Sequence, residues 1–137
     1  MAKTQTVVAF SASAIMANGM YDEAEKNAIS SIAKTFGVNE QEMFAAVDAE
    51  IDKQEAMPDE ALNAYLTDMA NKLNENEMIE VFQVCLVLVL SDGKLCKEEV
   101  AILLSFAAIL NIDNVYATLM IAYIVNKETD LEIEITM

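Results

Sequence analysis

Along most of this chain, apolar residues recur at the three- and four-residue spacing of helices that bury one face. Asp22 with Glu25 fits the pattern in which a polar N-cap and a glutamate three positions later close the first turn. Asn39 and Glu42 begin the third run in the same way, and Gly37 ends the second because glycine tolerates a positive φ. The pattern predicts an all-α chain of seven helices, over about residues 4–17, 22–36, 40–52, 59–73, 77–90, 96–110 and 113–127.

Two stretches of the chain repeat each other 74 residues apart, ANGMYDEAE at 17–25 and SDGKLCKEE at 91–99. The same offset pairs Ile29 with Leu103, so the match of apolar positions extends beyond the turn. The repeat predicts one domain over residues 1–137, built from two related three-helix halves. The halves cover about residues 4–52 and 77–127, and a bridging helix at about 59–73 joins them.

The last predicted helix and the residues after it differ from the rest. From Val115 to Val125 the helix is apolar nearly all round, which is typical of a central core helix. A dimer interface is the alternative. After Lys127 apolar residues alternate with glutamates, a period of two that predicts an extended tail or short strand in residues 128–137. The tail either covers the domain's own apolar surface or adds to the sheet edge of a partner.

The composition limits the classes of function that we expect for this chain. With 23 acidic residues against 8 lysines, the chain carries a net charge of −15, which argues against nucleic acid as a partner. It has no histidine, the side chain that most often serves as a general base near neutral pH, so we predict no catalytic residues. Cys85 and Cys96 form neither a CxxC pair nor a disulfide framework. We expect a cytoplasmic protein without a transmembrane segment.

An acidic stretch runs from Glu40 to Glu60, with Lys53 as its only cation. The simplest interpretation is a solvated helix face. The alternative is an electrostatic surface that selects a basic protein partner or gathers cations loosely.

The second turn resembles the end of a calcium-binding loop at first sight. If Gly93 takes the invariant glycine position and Glu99 the final glutamate position, Leu88 and Leu90 fall at the first and third ligand positions. Leucine cannot bind a hard cation, so the register excludes an EF-hand.

The repeated turn resembles the hallmark of the tellurite-resistance TerB-like family, an acidic-glycine turn, then an apolar residue, then a glutamate on the next helix. Residues 91–99 match this hallmark, and apolar residues follow at the expected spacing. In the first copy Asn18 replaces the acidic residue, while Gly19, Tyr21 and Glu25 keep their equivalent places. The resemblance covers essentially the whole chain and implies an internally duplicated, all-helical domain.

The resemblance also implies a non-enzymatic stress-response module that works within a larger assembly. One role is binding of Ca²⁺, Mg²⁺ or Mn²⁺, which prefer oxygen ligands. The other is a metal-free scaffold that recognises a protein partner, or forms a homodimer, through its acidic or apolar surface. In that case the glutamates at the third helical positions serve as caps. The residues implied as cation ligands are Asp92, Glu98 and Glu99, with Asn18 and Glu25 if the halves bring their turns together.

Overall fold

Seven helices make up most of the computed structural model, which describes residues 2–19, 22–91, 94–95, 97–127 and 132–133. The all-α class and the predicted number of helices are therefore confirmed for the described part of the chain. The helices are α1 (Ala2–Asn18), α2 (Glu23–Phe36), α3 (Glu40–Glu55), α4 (Asp59–Ala70), α5 (Glu75–Val89), α6 (Lys97–Ile109) and α7 (Asn114–Lys127).

Capping residues set the helix boundaries. Asp22 caps α2 and closes a capping box with Glu25, as predicted. α5 begins at Glu75, two residues earlier than predicted, because Asn74 and Glu77 form a capping box that the periodicity did not reveal. The predicted last turn of α4 is replaced by a tighter turn, in which the Leu73 N–H donates to the carbonyl oxygen of Ala70 at 3.0 Å.

α1 is the central helix of the fold. It packs against α3, α4, α5 and α6, and Val7, Phe10 and Ala14 are almost completely buried. The Phe10 ring meets the Phe106 ring of α6 edge to face, with centroids 5.9 Å apart. α4 packs on both α1 and α6, which supports its predicted role as a bridge between the halves.

Gln54 fastens α3 to α1. Its side chain is 1% exposed, accepts from the Ser13 hydroxyl at 2.5 Å and donates to the carbonyl oxygen of Ala9 at 2.9 Å. Both hydrogen bonds lie in the interior, where an unpaired polar group would be costly. α3 therefore has a fixed position against the central helix.

α7 lies at the periphery, so the prediction that it forms a central core helix is wrong. It packs mainly against α6, and among its described side chains only Ala117 and Ile121 are buried. Val115 and Leu119 are 64% and 63% exposed. An apolar pattern shows that a helix has surfaces suited to burial, but it does not show what buries them.

The two halves share backbone geometry at the 74-residue offset. Gly37 has φ 68° and Asn111 has φ 60°, and each follows the end of its helix in the left-handed conformation. The next N–H closes the helix end in both halves, from Val38 to Ala33 at 2.9 Å and from Ile112 to Ala107 at 2.8 Å. The internal duplication remains a prediction that this matched geometry supports.

Two short strands lie near the second turn. β1 (Lys94–Leu95) pairs in parallel with β2 (Glu132–Ile133), so residues 132–133 form a short strand, as the alternating pattern predicts, and it pairs within its own chain. The remaining tail residues lie outside the described part. None of the described helices has the length and apolar character needed to cross a membrane.

Cys85 is completely buried in α5, as expected for a small apolar side chain. Burial raises the pKa of its thiol well above the ordinary range. Cys96 lies outside the described residues.

Candidate functional site

Glu25 forms a buried polar contact between the two halves. It lies in the first turn of α2 and is 0% exposed. Its Oε1 accepts from the Asp22 backbone N–H at 3.1 Å, and its Oε2 accepts from the Ser91 hydroxyl at 2.7 Å. Ser91 follows α5 and opens the second copy of the turn. The structure therefore brings the beginning of the second turn against the carboxylate of the first.

The local sequence explains why Glu25 occupies this position. Asp22 adopts an extended backbone and its Oδ1 accepts from the Ala24 N–H at 3.1 Å, which starts the helix. Glu25 then closes the capping box from the third helical position, an arrangement that stabilises a helix by about 1 kcal/mol. The capping role predicted for Glu25 is confirmed.

The environment of Glu25 favours its protonated form. Burial, followed by the hydrogen bond with the Asp22 side chain, raises the pKa of Glu25 above its ordinary value, although the Ser91 hydroxyl and the Asp22 backbone N–H act in the opposite direction. The hydrogen bond with Glu25 lowers the pKa of Asp22. As the pH falls, the first proton taken up by this pair therefore goes to Glu25.

Ser91 can respond to that proton. Its hydroxyl oxygen lies 2.7 Å from Glu25 Oε2 and 2.7 Å from the Leu88 carbonyl oxygen, but a hydroxyl has only one proton to donate. An ionised Glu25 accepts this proton. A protonated Glu25 can donate to Ser91 instead, which frees the hydroxyl to donate to Leu88. The contact between the halves is therefore compatible with either charge state.

The structure describes some of the other predicted ligands and not others. Glu99 is 6% exposed in the first turn of α6, and Glu98 beside it is exposed. Asn18 is the last residue of α1, whereas Asp92 lies outside the described residues. Within the described part of the chain, no three Asp, Glu or Cys side chains form a group that could hold a metal ion. The ligand set therefore stays a prediction.

Ser91 is a site residue that sequence reasoning misses. It lies in the second copy of the repeat, and its counterpart in the first half is Ala17. A hydroxyl present in only one copy was the available signal. Sequence alone did not place it beside Glu25, because that contact joins residues 66 positions apart.

A second polar cluster lies between α3 and α4. Glu50 is 8% exposed, and it accepts a hydrogen bond from the Tyr65 hydroxyl. Lys53 Nζ donates to that hydroxyl at 3.3 Å and lies 4.5 Å from the ring centroid. Burial, followed by the hydrogen bond with Glu50, raises the pKa of Tyr65. The cluster holds α4 against α3.

The prediction that the acidic stretch is a solvated face throughout is wrong at Glu50. The other carboxylates of that stretch are exposed, but Glu50 shares the buried stripe of α3 with Met43, Val47 and Gln54. Its helical spacing from these residues was a signal that the charge pattern concealed.

A comparison with protein-family models gives one match. The family described as tellurite resistance protein TerB matches residues 4–119, which cover most of the chain. Neither the comparison with curated proteins nor the comparison with solved structures gave a match.

Proposed function

The chain belongs to the tellurite resistance protein TerB family, and from that premise we propose that it is a non-enzymatic stress-response module that binds a divalent cation at its paired turns. The observation that carries the proposal is the 2.7 Å contact between Ser91 and Glu25. This contact supports the proposal because a site with ligands from both turns requires the two turns to lie close together.

The raised pKa of Glu25 supports cation binding at this position. A buried carboxylate with a raised pKa lacks compensation for its negative charge, and a proton supplies it at low pH. A divalent cation would supply it at neutral pH. Asp22 adds a second carboxylate beside Glu25, and its side-chain hydrogen bond with Glu25 lowers its own pKa. Asp92 follows Ser91 directly in the sequence, so we place it among the ligands.

Capping and cation binding are compatible for Glu25. The cap uses Oε1, whereas Oε2 faces Ser91 from the second turn. Each carboxylate oxygen has two acceptor sites, so an oxygen that accepts one hydrogen bond can also approach a cation. Oxygen ligands of this kind suit Ca²⁺, Mg²⁺ or Mn²⁺ better than a soft metal.

Thermal unfolding with added Ca²⁺, Mg²⁺, Mn²⁺ or Zn²⁺ at fixed ionic strength tests the proposal. At one hundred times its dissociation constant, a specific cation stabilises the folded protein by about 2.7 kcal/mol. We expect this shift in the wild type and its loss in Glu25→Gln, Asp92→Asn and Glu99→Gln. Glutamine can still close a capping box, so these losses would report the cation and not the cap. Glu55→Gln removes one exposed charge far from the turns in sequence and should keep the full shift.

Equal and weak responses of all five proteins would contradict the cation proposal. The glutamates would then serve as caps, and the second role, a metal-free interaction scaffold, would remain. The exposed apolar side chains of α7 favour that second role, because an apolar patch on a highly charged protein marks a site where another surface can dock.

A further inference from the structure

The outer surface of α7 carries a continuous apolar stripe. Val115, Leu119 and Tyr123 follow each other at four-residue intervals and are 64%, 63% and 57% exposed, and Tyr116 beside them is 49% exposed. These four residues are called the α7 face below. Tyrosines and large aliphatic residues at such a spacing form the ridge that one helix packs into another.

The two halves differ in what fastens the equivalent helices α3 and α7. In the first half, Gln54 fastens α3 to α1 through Ser13 and the backbone of Ala9. In the second half the position equivalent to Ser13 is Val87, which offers no hydrogen bond. α7 packs mainly against α6 and borders a groove of about 390 Å³ next to α5. The groove is lined by Gln83, Leu86, Tyr116, Leu119, Met120, Tyr123 and Ile124.

Charge restricts what can cover the α7 face. Helices α2 to α6 each expose at least one carboxylate, whereas α7 has no Asp or Glu in its sequence. A basic partner attracted by the net charge of −15 would find no carboxylate on α7 to pair with. An apolar surface therefore complements the α7 face better than a basic surface does. A second copy of the chain presents such a surface, with a ridge and a groove side by side.

We propose that the α7 face is the interface of a two-fold symmetric homodimer. Two copies of α7 pack antiparallel, and the ridge at Leu119 of each copy enters the groove beside α7 of the other. This inference rests on the second, interaction role and is independent of the cation site. A helix of 14 residues is only about 21 Å long, so the interface is small and the dissociation constant is on the order of micromolar.

Sedimentation equilibrium of the full chain over a range of concentrations tests the proposal. The wild type should approach twice its monomer mass of 15.1 kDa as its concentration rises. Leu119→Glu should weaken the dimer by about 100-fold or more, because it buries a charge at the centre of the interface. Leu119→Gln should weaken it less. The matched control Ala64→Glu adds the same charge at an exposed position of α4 and should dimerise like the wild type.

Ionic strength gives an independent check. Salt screens the repulsion between two copies that each carry −15, so a dimer held by apolar contacts should tighten as salt is added. A monomeric wild type at every concentration would overturn the proposal, even if another protein were found on the face. A dimer that Leu119→Glu leaves intact would overturn it equally. Circular dichroism melts establish that the variants are folded, and cation titration tests the turns separately.

Discussion

Glu25 is held in place by two hydrogen bonds, within an interior that penalises its charge. The cap and the Ser91 hydroxyl position its carboxylate, but complete burial removes the water that would stabilise the ionised form. Periodicity and capping rules could predict the residue and its cap. They could not predict the burial, which depends on the approach of α5 from the other half.

Replacing Glu25 tests whether burial makes its ionised carboxylate unfavourable despite the hydrogen bonds that it accepts. The folded-state pKa is raised, so Glu25 contributes stability that is fully present below its ordinary value of 4.5 and is lost as the pH rises through the folded-state pKa. We expect wild-type stability, relative to Glu25→Gln, to fall over that interval. At pH 7 without added cation, Glu25→Gln should be at least as stable as the wild type, whereas Glu25→Ala should lose about 1 kcal/mol or more with its cap. Urea unfolding from pH 4 to 7 measures both effects.

A constant stability difference between wild type and Glu25→Gln over this pH range would contradict the burial argument. It would show that the carboxylate keeps its ordinary pKa and that its contact with Ser91 is not enclosed.

Tyr65 tests the second polar cluster. Tyr65→Phe removes the hydroxyl that donates to the buried Glu50, so it should destabilise the protein by about 1 to 3 kcal/mol. Tyr116→Phe makes the same chemical change on the exposed α7 face and should alter stability by less than about 0.5 kcal/mol. Equal effects of the two substitutions in urea unfolding would show that Glu50 does not depend on this hydroxyl.

At the level of helices, the strongest sequence signals were the residues that begin and end them. Asp22, Asn39 and Gly37 gave the ends of α2 and the beginning of α3 correctly. The same reasoning missed the start of α5, which lies two residues earlier than predicted, because the apolar run that follows concealed the polar cap at Asn74. The environment of α7 could not be predicted, because its apolar pattern has no preferred side from which to infer the direction of the core.

The matched helix ends in the two halves give a prediction at this scale. Gly37→Ala places a β-carbon at a positive φ, which costs about 1 kcal/mol. Asn111 already carries a β-carbon at its positive φ, so Asn111→Ala should cost less than Gly37→Ala. Asn111→Gly should be neutral or slightly stabilising, since glycine adopts this conformation freely. Thermal melts of the three variants measure these differences. No loss in Gly37→Ala, or a clear loss in Asn111→Gly, would contradict equivalent left-handed caps in the two halves.

At the level of the whole molecule, an apolar core within a strongly acidic surface is consistent with the family match. One core cluster contains residues from α1 to α7, although the single-domain boundaries remain a prediction. The acidic composition and the absence of histidine argued against nucleic-acid binding and catalysis, but they could not locate a site. The contact between Ser91 and Glu25 is a property of the assembled halves, and it supports a cation at the paired turns.

Calorimetric titration with Ca²⁺, Mg²⁺ or Mn²⁺, in two buffers of different ionisation enthalpy, tests that claim most directly. At a pH just above the ordinary carboxyl range, Glu25 is protonated in a fraction of the molecules because its pKa is raised. A cation that binds there must displace this proton, so the wild type should release protons on binding and Glu25→Gln should release fewer. Saturable binding with the same proton release in both proteins would contradict the role of Glu25, and no saturable heat with any of the three cations would contradict the site itself.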